Sequence, residues 1–197
     1  SVILKKGERF SALELEALAN HEIGVHLVTT FNAENQKLKI FSLGFPFNVQ
    51  TQEGLAVLAE YYSGALNFDR IFELAVRVIL ADNVIKGLSF ATSFDQLVGE
   101  YKLSRDHAFK LVTRLYRGGG FTKDRLYLPG FIELIKEHPD EESMNWLLAG
   151  KTASDYQHMM PILEQQGLMN PNAYQSTTFN RVKPLNKEVA QLLQRLK

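Results

Sequence analysis

His21-Glu22-Ile23-Gly24-Val25-His26 sets the strongest condition on how this chain can fold. The hexamer lies in an apolar, helix-forming segment. Two histidines flanking a glutamate are the working part of a zinc hydrolase: the imidazoles hold the ion, and the carboxylate takes a proton from the water that the ion acidifies. The spacing is one residue longer than His-Glu-x-x-His. In a regular α-helix, residues four apart lie about 40° apart around the axis, and residues five apart about 140°. His21 and His26 can therefore meet at one ion only if the helix is wound locally into a wider turn. A π-bulge does this, and such bulges concentrate at functional sites. Gly24 suits the distortion, since glycine is a poor helix former and leaves room inside the motif. The competing reading is an ordinary amphipathic helix that carries two histidines by chance.

A zinc site with two histidines needs a third protein ligand and an open position. The chain has no cysteine, which excludes disulfides and thiolate ligands, so an ion must rest on His, Asp or Glu. Glu53, in Gln52-Glu53-Gly54-Leu55-Ala56, offers a carboxylate at the start of a second apolar helical run. Glu60 lies two turns further along the same face. It is expected as a solvated or salt-bridged surface acid; the other readings are a partner to a ligand or an alternative ligand. His107, His138 and His158 stand alone without metal spacing and are expected as surface or core histidines.

The two motifs, the later run from Tyr116 to Leu128 and Gly150-Lys151 together carry a family resemblance. In this order, over most of the chain, they resemble the flavohaemoglobin expression-modulating QEGLA-motif proteins, bacterial relatives of the microtubule-associated tyrosine carboxypeptidases. The resemblance implies a zinc-dependent, carboxypeptidase-like hydrolase acting on a peptide or protein C-terminus. It implies His21, His26 and Glu53 as metal ligands and Glu22 as the catalytic carboxylate. A carboxypeptidase must recognise a free carboxylate, and arginine does so best because its fork matches two oxygens. Arg114, Arg117, Lys123 and Arg125 crowd around Gly118-Gly119-Gly120 and are the candidate substrate-binding residues. Arg117 and Lys123 adjoin the glycines most closely. Singly, each reads as an ordinary solvated charge. Tyr61, Tyr116 and Tyr127 are candidates for stabilising an oxyanion, although core tyrosine is the expectation for each.

With 197 residues, 45% hydrophobic and 22% charged, the chain can build one domain with a core. It reads as a single metallopeptidase-like domain over 1–197 and, opening at Ser1 a few turns before the motif, as a piece of a longer protein. A net charge of zero supplies no global field for nucleic acid or an anionic membrane. No apolar run is long enough to span a bilayer and no signal peptide opens the chain, so a cytoplasmic location is expected. The pattern predicts a mainly α fold (α+β at most) with a helical zincin-like core. A helix capped by Ser11 runs to about Phe31. A short strand or hairpin is expected over 38–45, between the two motif helices. A second helix, capped by Thr51, runs to about Gly64. Helices follow over 68–85, 94–101 and 104–116, after Pro129, Asp140 and Ser154, and over 185–196, with an irregular polar stretch at 170–183. A reading from another class takes 94–116 as a helix-turn-helix, with Arg105, Lys110 and Arg114 facing phosphates and the chain a non-enzymatic regulatory module. A packed helical hairpin has the same spacing, and the zero net charge favours it.

Overall fold

The computed structural model describes residues 7, 9–118, 123–179 and 186–195, and among them helix is the regular structure throughout. In chain order the α-helices are α1 (Ala12–His21), α2 (Val28–Glu34), α3 (Ile40–Leu43), α4 (Asn48–Tyr62), α5 (Phe68–Ile85), α6 (Phe90–Gly99), α7 (Arg105–Arg117), α8 (Tyr127–Glu137), α9 (Glu141–Leu147), α10 (Met160–Gln165) and α11 (Lys187–Gln194). A π-helical turn, Glu22–Leu27, joins α1 to α2 without a break. The chain divides into two compact units, residues 1–68 with 129–197, and residues 69–128. No helix among the described residues is long and apolar enough to cross a membrane.

In the first unit, Ser11 caps α1 by the expected reciprocal pair. Its hydroxyl accepts from Glu14 N at 3.2 Å, and the Glu14 carboxylate accepts from Ser11 N at 2.7 Å. A surface helix carries one apolar stripe and one polar face, and α4 has no such division. Every residue from Thr51 to Tyr61 is buried, so this helix is the axis of the unit, with α1 and the π-turn packed against it. The helix begins at Asn48, earlier than the expected Thr51 cap. The Thr51 hydroxyl instead meets Ser154, lying 3.1 Å from its Oγ and accepting from its backbone N–H.

The Gln-Glu-Gly-Leu-Ala segment is legible residue by residue. Gln52 Nε2 donates to the carbonyls of Leu147 and Thr152, fixing α4 to the end of α9. Leu55 and Ala56 are wholly buried. A Cβ on Gly54 would lie 2.4 Å from the Gly130 carbonyl carbon, and one on Gly130 would lie 2.1 Å from Gln50 O. Helices α4 and α8 therefore touch backbone to backbone, which only glycine permits.

The strand expected over 38–45 is not present. A half-buried strand would turn Phe41, Leu43 and Phe45 to one face. Here Phe41 and Phe45 are buried while Leu43 is 78% exposed. The two phenylalanines stand at helical spacing with ring centroids 5.3 Å apart, and they pack with Ala33, Ala149, Ala153 and Met160. Burying that pair winds the segment into the short helix α3. Gly150-Lys151 locks onto it: Lys151 N donates to Phe41 O, and Phe45 N donates to Lys151 O. The sheet edge that a zincin-like core would offer a substrate is thus not found among the described residues.

The second unit is built on α5, α6 and α7. Val76, Leu80 and Ala81 of α5 meet Leu97 of α6 and Ala108, Leu111, Val112 and Leu115 of α7. Residues 94–116 form a packed helical hairpin on α5, with Ser89 and Ser104 as its N-caps. The C-terminal helix expected over 185–196 is seen as α11; residues 180–185 and 196–197 lie outside the described residues, as do 119–122 in the glycine run.

Candidate metal centre

The first helix is wound as its histidine spacing requires. Across the π-turn, five residues leave His21 and His26 roughly 50° apart around the axis, against 140° in an α-helix. The two rings meet edge to face with centroids 5.0 Å apart. Where the turn tightens again into α2, the His26 carbonyl accepts from two hydroxyls, Thr29 Oγ1 at 3.1 Å and Thr30 Oγ1 at 2.7 Å. These bonds serve a carbonyl at the π-to-α junction and mark the exit from the wide turn.

Helix α4 supplies two carboxylates. Glu53 and Glu60 stand two turns apart on one face, 4% and 2% exposed. Glu53 Oε2 lies 3.8 Å from His21 Nε2 and 3.6 Å from His26 Nε2. One ligand atom from each of His21, His26 and Glu53 falls within 4.8 Å of the others, so the three can hold a metal ion. The other nitrogen of His21, Nδ1, lies 2.8 Å from Glu60 Oε1. This fixes the neutral tautomer with its proton on Nδ1 and leaves Nε2 facing the site. Glu60 is therefore not the surface acid expected of it. The shared face of Glu53 and Glu60 looks onto the imidazoles, and Glu60 orients a ligand from behind, as carboxylates do in histidine metal sites. His26 Nε2 is buried and makes no hydrogen bond. A buried nitrogen in that state is costly unless a cation completes it. Nitrogen, nitrogen and carboxylate oxygen form a donor set suited to zinc. Glu22, the first residue of the π-turn, is half-buried.

Burial opposes a charge on the His21 imidazole, but the nearby Glu53 carboxylate and the hydrogen bond and negative charge of Glu60 outweigh it, and its pKa is pushed up to about 8. Without an ion, a proton on His21 is the cation between two buried carboxylates. The folded value lies above the ordinary 6.5 of the unfolded chain. The stability it contributes is thus fully present below pH 6.5 and is lost as pH rises through about 8. Urea unfolding of the metal-free chain should lose roughly 2 kcal/mol between about pH 6 and pH 9, and Glu60→Gln should flatten the profile. A flat wild-type profile would mean that His21 is not charged by this pair.

Most of the remaining candidates fall in the second unit. Arg114 Nε donates to Asp124 Oδ1 at 2.8 Å, and Arg77 Nη1 donates to the same oxygen at 3.1 Å, so this buried aspartate ties α5 and α7 to the turn at Lys123–Arg125. Arg117, Lys123 and Arg125 are exposed, and Lys123 Nζ lies 5.7 Å from the centre of the Tyr127 ring. Tyr116 serves packing: its hydroxyl donates to the Leu88 carbonyl at 2.8 Å and lies 2.7 Å from Ser93 Oγ. Arg105 sits over the Phe94 ring. His107 Nε2 lies 3.2 Å from Glu73 Oε2. In the first unit, His138 and His158 are exposed, and Tyr61 is buried and packs edge-on against Phe131.

Two imidazoles on a π-wound helix, facing a carboxylate on a buried neighbour, define a helical protein with a candidate metal centre. The chain belongs to the microtubule-associated tyrosine carboxypeptidase family, whose model matches residues 1–197. No curated protein and no solved structure matches it. The family is one of carboxypeptidases, which supports peptidase activity in general.

Proposed function

We propose that this protein is a zinc-dependent carboxypeptidase acting on peptide or protein C-termini in the cytoplasm, with residues 1–197 as its catalytic domain. The observation that carries the reading is the convergence of His21, His26 and Glu53 with a bare, buried nitrogen on His26. His21, His26 and Glu53 would hold the ion, with Glu60 keeping His21 in its binding tautomer. Zinc, when bound there, supplies a Lewis acid that polarises a carbonyl and brings water toward ionisation near neutral pH. Glu22 takes the water proton and passes it to the leaving amine. Arg117 and Lys123, with Arg125 and Arg114 beside them in sequence, are the proposed readers of the substrate carboxylate.

The test compares a peptide with a free C-terminus and its amidated analogue. Cleavage of the free peptide should vanish with a chelator and return with zinc. Arg117→Ala should weaken it far more than any residual cleavage of the amide. Equal losses on both peptides would assign Arg117 to folding, and cleavage that survives full metal removal would overturn the zinc reading.

A further inference from the structure

The π-turn is a rare winding and persists only where surrounding contacts determine it. Besides α4, residues 170–179 supply such contacts, as an irregular strap that lies along α2 and the π-turn within the first unit. Two amides four residues apart, Asn32 within α2 and Gln36 just past its end, fix its register. Asn32, wholly buried, donates to Tyr174 O and accepts from Tyr174 N, both at 2.9 Å. Gln36 donates to Asn170 O at 3.0 Å and accepts from Asn170 N at 2.9 Å. Each amide thus reads one residue of the strap through both backbone groups, so the strap cannot slide without breaking both pairs.

That register lays Thr178 on the metal helix. Its hydroxyl donates to Oδ1 of Asn20, the residue just before His21. Asn20 Nδ2 in turn donates to Glu16 O at 2.8 Å, so the Asn20 amide is held from both ends. Within the π-turn, a Cβ on Gly24 would lie 3.1 Å from Thr178 Oγ1 and 3.5 Å from Ser176 Oγ. Gly24 therefore lets the strap lie directly on the widened backbone. Asn20 and Gly24 bracket His21, and the two threonine hydroxyls on the His26 carbonyl close the far side.

We propose that Thr178 and Asn20 are positioning residues that clamp the π-turn, so that His21 and His26 keep converging on one ion. Neither touches the ion; both act through the winding of the helix. The inference rests on the metal reading of His21, His26 and Glu53. Relaxing the turn toward α-helix swings the two imidazoles apart. Loss of the clamp should therefore show in metal affinity before it shows in overall stability.

The test uses the purified protein and zinc alone, with affinity measured by competition against a chelator and stability by urea unfolding of the metal-free chain. Thr178→Val keeps the volume and removes the donor. It should weaken zinc affinity by roughly 10- to 100-fold, the usual effect of losing a group that orients a ligand. Thr178→Ser restores the hydroxyl and should return affinity to within about threefold of wild type. Asn20→Ala breaks the same bond from the other side and should match Thr178→Val, which keeps the test intact if either variant fails to fold. Unchanged zinc affinity in a folded Thr178→Val or Asn20→Ala protein overturns the clamp, as does a serine variant as weak as the valine one. If wild type itself fails to bind zinc, it is the metal reading that falls.

Discussion

Glu22→Gln is expected to lower peptide hydrolysis by about two to four orders of magnitude while zinc stays bound. Glutamine has the same length and volume, and at the head of the π-turn it leaves the winding between His21 and His26 undisturbed. What it cannot do is take a proton from water. Zinc content and turnover measured on the same preparation separate the two roles. Turnover equal to wild type would remove Glu22 from the chemistry. Zinc lost together with activity would make Glu22 a ligand.

Gly54→Ala should cause a large loss of stability. The new carbon would sit 2.4, 2.6 and 2.9 Å from the carbonyl carbon, oxygen and Cα of Gly130. These are backbone atoms of α8, so no side chain can swing aside, and the two helices must separate. Overpacking of this kind costs about 3 kcal/mol, which for a chain of this size lowers Tm by roughly 6–12 °C. Glu53 is the preceding residue on α4, so zinc affinity should fall with stability. Gly130→Ala, aimed at Gln50 O, should behave alike. A fall below about 2 °C in both variants would mean that α4 and α8 move apart freely and do not fix the height of Glu53.

Much of the site is legible in the sequence because it is written in local spacing. The five-residue separation of His21 and His26 demands a wide turn, and Glu22–Leu27 is wound as one. The absence of cysteine narrows the donors, and Glu53 stands on the helix expected of it, 3.6 Å from His26 Nε2. Contacts set by tertiary packing are not legible in the same way. The rarity of buried glutamates points Glu60 to the surface, yet its seven-residue spacing from Glu53 is the signal that it shares the same buried face. The alternation over 38–45 suggests a strand, and the burial of Phe41 with Phe45 against Ala149 and Met160 turns it into helix. The pairing of Asn20 with Thr178 joins residues far apart in sequence inside a stretch that reads only as polar and irregular. Nothing local announces it.

If His21, His26 and Glu53 hold one zinc ion, elemental analysis of the purified protein should find about one zinc per chain. His26→Ala and Glu53→Ala, analysed beside it, should lose stoichiometric zinc. Glu60→Ala should keep weakened but measurable binding, because it removes an orienting group and not a ligand. Full zinc in a folded Glu53→Ala protein, with loss in Glu60→Ala, would contradict this assignment and move the third ligand two turns along α4.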